Sequence, residues 1–325
     1  MGQLLRRIIL ALATGYVLMY YSELMFWARF KPGDTLGELA GTWLFYSLAA
    51  YAFLSTLAVF RVHNLWGIFL AGALYGWLVE GVIVQTMYDA FPWQISWTGL
   101  AWHALLSVLV GWYWMLKALH SPRAAIAWIS AAAIGLFIGF WAISWWVEEP
   151  VSVTSIPDFA VFTLVTTLLL GVGYGLIDRL SGRGFSPSRW ELAALVLIFG
   201  LYFVFITIPA APLAVFVLPP LLAVLFLALW RHRRAAVPLP PQEAPSSPIR
   251  PLSLLGLAAI PITAVSFYAL AMTLGVRLPT NWVVYLCTTP LGAVMFLVSA
   301  GVLLLKKRTP LRTQDDIVSF TPPPV

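Results

Sequence analysis

The chain has little sulfur and little charge. Its 325 residues include one cysteine, Cys287, which excludes an internal disulfide and any metal or redox site built on paired cysteines. Charged residues make up 10% of the chain, against roughly a quarter in soluble proteins, whereas 61% of the residues are hydrophobic. The apolar runs are continuous, and a membrane-spanning β-barrel would instead show short segments of alternating polarity. The composition therefore predicts an all-α, polytopic helical membrane protein.

The sequence also lacks the short motifs of several enzyme and transporter classes. It contains no GxxxxGK[ST] phosphate loop, no GxSxG nucleophile elbow, no HExxH zinc pair and no GxGxxG dinucleotide turn. Nucleotide-driven transport by this chain alone and several hydrolase mechanisms therefore lose support. No catalytic residue can be assigned from a motif, and we expect no cofactor.

Ten apolar runs of about 20 residues predict ten transmembrane helices, because this length crosses the ~30 Å hydrocarbon core. We interpret the first run as a span, since it is too long for a signal peptide and no small-residue cleavage site closes it. The segment from Trp190 to Trp230 would form a helix of ~60 Å, so it must cross twice, turning at Pro209 and Pro212. The predicted spans are 8–28, 40–60, 65–87, 97–117, 124–146, 158–178, 190–209, 211–230, 252–274 and 282–304.

Basic residues are concentrated in alternate connections. With a cytoplasmic N-terminus, the cytoplasmic helix ends and connections hold all but Arg29, Lys31 and Arg277 of the 19 basic residues. Because this bias orients helical membrane proteins, both termini are predicted to be cytoplasmic, in a cytoplasmic (plasma) membrane. Anionic lipid headgroups then account for the net charge of +6, and nucleic-acid binding is not implied. The cytoplasmic set is Arg6, Arg7, Arg61, Lys117, Arg123, Arg179, Arg183, Arg189, Arg231, Arg233, Arg234, Arg250, Lys306, Lys307, Arg308 and Arg312.

Two segments outside the spans have compositions that cannot build a core. Residues 235–251 are rich in proline and are predicted to form an extended cytoplasmic linker. The linker divides an eight-helix transmembrane body, 1–234, from a C-terminal transmembrane hairpin, 252–308. Residues 309–325 end in FTPPPV and are predicted to be a disordered cytoplasmic tail.

Two series of small and polar residues recur every four positions, each on one helix face. The first series is Gly72, Gly76 and Glu80, and the second is Gly99, His103, Ser107 and Gly111. Small residues allow helices to approach closely in a membrane, so each series predicts a packing face that carries an ionisable group inward. Ionisable groups inside a bilayer are costly and point to a function.

Glu80 and His103 are the main candidates for a functional site. The third and fourth spans are joined by a short connection, so they are expected to be antiparallel neighbours whose two side chains hydrogen-bond. The pair would exchange a proton with a substrate or coupled ion, or act as acid and base; as a structural feature it would only fix packing. Glu23, at a similar depth but nearer the interface, is the third candidate. Zinc usually needs three or four ligands, so we expect no metal.

Many of the 16 tryptophans fall near the outer helix ends, where an aromatic belt is expected. An alternative is an outward-facing pocket for a lipid, a sugar or a cation. Its candidate lining is Trp77, Trp102, Ser107 and Tyr20. Glu148 and Glu149 are expected in a solvated loop. Prolines inside the last three spans suggest broken helices of the kind found in transporters.

Three functions stay open from the sequence. The first is a carrier for a small solute or lipid-like molecule, coupled to protons through Glu80 and His103. The second is a membrane-embedded enzyme that acts on a lipid from the outer leaflet with the same residues. The third is a non-catalytic subunit that contacts partner subunits in the membrane. The lipid bilayer is the expected surrounding in each case, and the space around Glu80 is the feature that discriminates among them.

Overall fold

A computed structural model describes residues 2–149, 151–182, 184–235 and 248–305. The fold is all-helical, with 83% helix and no strand in these ranges. Ten helices of the described residues are long and apolar enough to cross a membrane, as expected of an integral membrane protein. They are α1 (Gln3–Trp27), α2 (Leu36–Phe60), α3 (Leu65–Ile83), α4 (Ile95–Leu119), α5 (Ala124–Trp146), α6 (Ile156–Ser181), α7 (Arg189–Ala210), α8 (Ala214–Arg233), α9 (Pro251–Thr273) and α10 (Thr280–Leu305).

The observed helices confirm the ten predicted runs, and most ends differ by only a few residues. The clearest difference is at α1, which begins at Gln3 rather than near residue 8. Arg6 and Arg7 lie inside this helix and are buried, because both guanidinium groups have protein partners. The turn between α7 and α8 lies at residues 211–213, so Pro209 belongs to the end of α7.

The helices alternate in direction, which gives the bundle two faces. We call the face with the connections 28–35, 84–94, 147–155, 211–213 and 274–279 the distal face, and the opposite one the proximal face. Which face lies in the cytoplasm stays a prediction from the basic residues.

The C-terminal helices pack against helices from the first half of the chain. α1 contacts α2 and α6, α3 lies along α4, and the apolar faces of these helices form the core. α9 packs on α5 and α10 packs on α4 and α3, so neither C-terminal helix stands apart from the rest. The division into an eight-helix body and a hairpin stays a prediction, and most of the linker and the whole tail lie outside the described residues.

Buried charge joins the helices at the proximal face. The Arg7 guanidinium donates to both carboxylate oxygens of Glu191, at 2.9 and 3.0 Å, and so connects α1 to α7. Tyr51 of α2 donates to the same carboxylate at 2.6 Å. Arg6 donates to two backbone carbonyls at and after the end of α6. A bidentate, partly buried pair of this kind helps to fix the relative positions of its helices.

Candidate functional site

Four of the described helices contain wide π-helical turns, in which a backbone N–H bonds to the carbonyl five residues earlier. Such turns are rare and occur often at functional sites. One lies near the distal end of each of α1, α3 and α7, whereas α4 is wound this way over most of its length. The segments are Tyr20–Leu24, Val79–Ile83, Phe203–Thr207 and Ile95–Trp114. The first two and the last carry the predicted candidates Glu23, Glu80 and His103.

Glu80 and His103 form a direct contact between α3 and α4. Nε2 of the imidazole lies 2.7 Å from Oε1 of the carboxylate, which confirms the predicted hydrogen bond. The hydroxyl of Thr86 donates to the other carboxylate oxygen. The side chain of His103 is 2% exposed and that of Glu80 is 12% exposed, so the pair is almost removed from solvent.

The glycine faces allow this contact. A Cβ atom built on Gly76 would lie 2.8 Å from Cβ of His103 and would overlap the carbonyl oxygen of Gly99. A Cβ atom on Gly72 would lie 3.1 Å from Cα of Ala104. The backbones of α3 and α4 are therefore too close for a larger residue at Gly76, as the four-residue spacing predicts.

A serine of α1 completes the site. Oγ of Ser22 lies 2.8 Å from Nδ1 of His103, 2.9 Å from Oγ of Ser107 and 3.3 Å from the hydroxyl of Tyr75. The indole of Trp102 donates to the Ser22 carbonyl at 2.9 Å. Ser22 is 1% exposed. The imidazole is therefore held from both sides, by a carboxylate on α3 and a hydroxyl on α1.

Counting hydrogens gives this network two complete arrangements. When the imidazole is neutral and donates from Nε2, its Nδ1 accepts from Ser22, and Ser107 donates to Ser22. When the imidazole is protonated, Ser22 accepts from Nδ1 and donates to Ser107, whose hydroxyl donates to the Trp102 carbonyl at 3.0 Å. The Tyr75 hydroxyl donates to Ser22 in both. Protonation at Nδ1 therefore reverses the direction of the hydroxyl chain and leaves none of these groups without a partner.

Glu23 lies beside this network, not within it. Its carboxylate accepts from the indole of Trp27 at 2.9 Å and from Lys31 at 3.4 Å. Tyr46 of α2 donates to it at 3.3 Å, and the Tyr46 ring centroid is 6.3 Å from that of His103. Tyr46 therefore contacts Glu23, whose side chain is 29% exposed, and lies near the buried imidazole.

Side chains of the neighbouring segments fix the end of α3, where Glu80 lies. The amide of Gln85, whose own φ is +61°, donates to the carbonyls of Val82 and Ile83 at 2.5 and 2.7 Å. Thr207 donates to the first of these carbonyls at 2.8 Å, and Tyr202 donates to the second at 3.3 Å. Carbonyls at a helix end have no partner within the helix, so these donors stabilise the position of the pair.

The other predicted lining residues are in the packed interior. Trp77 is 0% exposed and Trp102 is 3% exposed. The hydroxyl of Tyr20 lies 3.1 Å from Oγ1 of Thr167, so this side chain contacts α6 and not the Glu80 carboxylate. Ser107 belongs to the hydroxyl network. A pocket formed by these four residues stays a prediction.

A cavity of about 530 Å³ opens near Glu23 on the distal face, and we call it the distal cleft. Its lining comes from the end of α1, the 28–35 connection and the start of α2. As far as the described residues show, Glu80 and His103 do not line it. The charged and aromatic members of the lining are Glu23, Trp27, Arg29, Lys31, Asp34 and Glu38.

A second, aromatic pocket of about 280 Å³ lies beside it on the same face. Trp97, Trp141, Trp145 and Tyr285 line this pocket together with Glu148. Sequence reasoning placed Glu148 in a solvated loop and missed the pocket, because the aromatic walls come from α4, α5 and α10, which are distant in the chain.

Four members of the Glu80 site were also missed: Ser22, Tyr46, Tyr75 and Thr86. The sequence contains a weak signal for two of them, since Ser22 precedes Glu23 inside an apolar run and Tyr75 precedes Gly76. Tyr46 has no such signal, because the polar residues of α2 do not mark one face of the helix. Among the described residues, no three His, Cys, Asp or Glu side chains come together in a group able to hold a metal ion.

Comparisons with protein-family models, with curated proteins and with solved structures find no match for this chain. The fold and the site therefore define the class directly. The chain is a polytopic helical membrane protein with a buried carboxylate–imidazole–hydroxyl network near one face.

Proposed function

We propose that the protein is a carrier for a small solute or lipid-like molecule and that Glu80 and His103 couple transport to protons. The observation that carries this proposal is the buried pair, held at 2.7 Å between two membrane-spanning helices. An ionisable pair within membrane helices is expensive to bury, and such groups mark ion and proton pathways.

The hydroxyl network supports a coupling role. It has one complete set of hydrogen bonds for the neutral imidazole and another for the protonated one, so the site holds a proton without breaking contacts. The two sets differ in the bonds that join α1 to α4 through Ser22. A proton therefore reverses the direction of the bonds between α1 and α4, and a conformational switch would require one of the two directions to be favoured in a second arrangement of the helices.

The arrangement of exposures supports a route for the proton. The side chain of Glu23 is 29% exposed and lines the distal cleft, whereas that of His103 is 2% exposed. Tyr46 bonds to Glu23 through its hydroxyl, and its ring centroid lies 6.3 Å from that of His103. A proton from the distal side would pass Glu23 and Tyr46 before reaching the pair.

Prolines inside the helices are a further feature expected of a carrier. Pro219 and Pro220 lie within α8, Pro261 within α9 and Pro290 within α10. Each proline removes a backbone donor from the helix ladder, and interrupted helices line binding sites in many transporters. The bias of basic residues supports a location in the cytoplasmic membrane with the distal face outside.

Solute-driven proton movement tests the proposal. The purified full chain is reconstituted into vesicles that enclose a pH-sensitive dye, and inorganic phosphate, succinate, choline or glycerol is added outside. We expect at least one of these solutes to change the internal pH with the wild-type protein. Glu80→Gln keeps the shape and hydrogen bonding of the side chain but loses its proton, so it should abolish the pH change while folding normally.

Asp89→Asn is the matched control, since Asp89 is an exposed carboxylate in the connection after α3. It should behave as the wild-type protein does. An undiminished proton signal in Glu80→Gln, or no signal from the wild-type protein with any solute of the panel, contradicts the proposal.

A membrane-embedded enzyme is the second candidate, and one observation favours it. Glu80, His103 and Ser22 stand in the order carboxylate, imidazole, hydroxyl, with contacts of 2.7 and 2.8 Å, the order used to activate a serine nucleophile. Its main difficulty is that Ser22 is 1% exposed. Reaction with a fluorophosphonate reagent decides between the two: an adduct on Ser22 found by mass spectrometry favours the enzyme, and no adduct favours the carrier.

A further inference from the structure

Arg29 is a buried charge with no hydrogen-bond or ion-pair partner among the described residues. It follows α1 at the distal face, is 8% exposed and lines the distal cleft. Its Nε and Nη1 atoms are buried and, among the described residues, donate no hydrogen bond. No ion pair of the described residues includes it. Burial lowers the pKa of the Arg29 guanidinium, which reflects the penalty of removing this charge from water.

Two other arginines provide an internal comparison. Arg6 and Arg7 are 9% and 8% exposed, as buried as Arg29. Arg7 has a bidentate carboxylate partner, and Arg6 donates to two backbone carbonyls. The fold therefore satisfies its buried guanidinium groups elsewhere, and Arg29 is the exception within the described residues.

The aromatic contact of Arg29 does not replace an anion. Cζ of the guanidinium lies 5.3 Å from the ring centroid of Trp145, a cation–π distance. This interaction involves the face of the guanidinium. The in-plane N–H donors of Nε and Nη1, which suit the oxygens of a carboxylate or phosphate, have no acceptor among the described residues.

The carboxylates that line the cleft are already engaged. Glu23 accepts from Trp27, Lys31 and Tyr46. The other two acidic side chains bond within their own loop and helix start: Asp34 accepts from the backbone N–H of Lys31 at 2.9 Å, and Glu38 caps α2 through Thr35.

We propose that the distal cleft binds an oxyanion, a phosphate or carboxylate group, as the missing partner of Arg29. The guanidinium would donate to its oxygens, while Lys31 on the same wall already pairs with Glu23 at 3.4 Å. The cleft, about 530 Å³, has the size of a small-molecule site. The oxyanion belongs either to a soluble molecule or to a lipid headgroup. If the oxyanion is the transported substrate, this inference rests on the proposed carrier function. The binding site itself does not depend on that function.

Thermal unfolding of the purified full chain in neutral detergent tests the site, with inorganic phosphate as the first probe and chloride at equal ionic strength as the reference. A ligand that binds only the folded protein raises the folded-to-unfolded ratio ~100-fold at a concentration of ~100 Kd. We expect phosphate to raise the melting temperature of the wild-type protein. A rise with phosphatidylglycerol but not with phosphate assigns the oxyanion to a lipid headgroup and also supports the site.

Three variants make the test specific. Arg29→Met should lose the response, and without ligand it should be at least as stable as the wild-type protein, because it removes an unpaired buried charge. Arg29→Lys keeps the positive charge but loses the planar set of N–H donors, so its response should be several-fold weaker. This variant still tests the site if Arg29→Met does not fold. Arg277→Met removes an exposed arginine of the same face and should keep the full response.

No response of the wild-type protein to phosphate or to phosphatidylglycerol, beyond that to chloride, overturns the inference. A full response in either Arg29 variant overturns it too. Glu80→Gln separates this inference from the proposed function: it should keep the response even if the proton-coupling proposal fails.

Discussion

Oγ of Ser22 lies 2.8 Å from Nδ1 of His103, which joins α1 to α4 at the same imidazole that binds the Glu80 carboxylate of α3. Three helices thus meet at one ring. The Ser22 hydroxyl donates to the ring when the ring is neutral and accepts from it when Nδ1 is protonated.

Removing this hydroxyl should therefore destabilise the protein. Ser22→Ala leaves the imidazole nitrogen and the Tyr75 hydroxyl without a partner, and an unsatisfied buried polar group costs about 1–3 kcal/mol. Unfolding in mixed micelles measures the loss. Ser47→Ala is the control, because Ser47 is also buried but bonds only to a carbonyl four residues back in its own helix. Equal losses in both variants would argue against a central role for Ser22.

The contact between Glu80 and His103 predicts energetic coupling. Glu80→Leu and His103→Leu should each destabilise the detergent-solubilised protein, since each strands a buried polar partner. The double variant should lose less than the sum of the two, with a coupling free energy of about 1 kcal/mol, as for hydrogen bonds between membrane helices. Additive losses would mean that the two groups do not share a bond.

Gly76 should not tolerate a side chain. Gly76→Ala places a Cβ atom 2.8 Å from Cβ of His103, so α3 and α4 must separate and the protein should unfold at a lower temperature. Gly175→Ala is the matched control, because a Cβ atom on this α6 glycine meets nothing within 4 Å. It should be neutral or stabilising by up to ~1 kcal/mol, since alanine has the higher helix propensity. A similar loss in both would contradict the close approach at Gly76.

Cysteine labelling checks the topology. Cys287 is exposed, so the background variant is Cys287→Ser. Cysteines at Gly33 and Ser152, both in connections of the distal face, should react with a membrane-impermeant thiol reagent in intact cells, whereas a cysteine at Ser246 should not. Labelling at Ser246 with both distal sites silent would invert the orientation.

The sequence predicted the ten spans well because hydrophobic length depends only on consecutive residues. Its estimate for α5, 124–146, coincides with the observed helix. It also predicted the contact between α3 and α4, since a short connection makes them neighbours and the glycine series marks the faces that meet. Both inferences need no information about distant parts of the chain.

The rest of the site depends on helices that are far apart in sequence. Ser22 reaches His103 because α1 packs against α4 and because wide turns rotate the side chains that follow them, and periodicity of 3.6 residues predicts neither. The α1 start was misplaced for a related reason: Arg6 and Arg7 looked like flanking charges, but partners on α6 and α7 allow them to be buried.

The sequence by itself thus determined the class of the protein, the number of helices and the α3–α4 pair, since these follow from local apolar length and spacing. Only the tertiary structure decided which hydroxyl holds the imidazole, that Glu23 lines the distal cleft and which buried arginine of the described residues has no hydrogen-bond partner. The physical reason is that the rotation of each helix about its axis is set by side-chain packing between distant segments, and satisfaction of buried polar groups follows from that rotation.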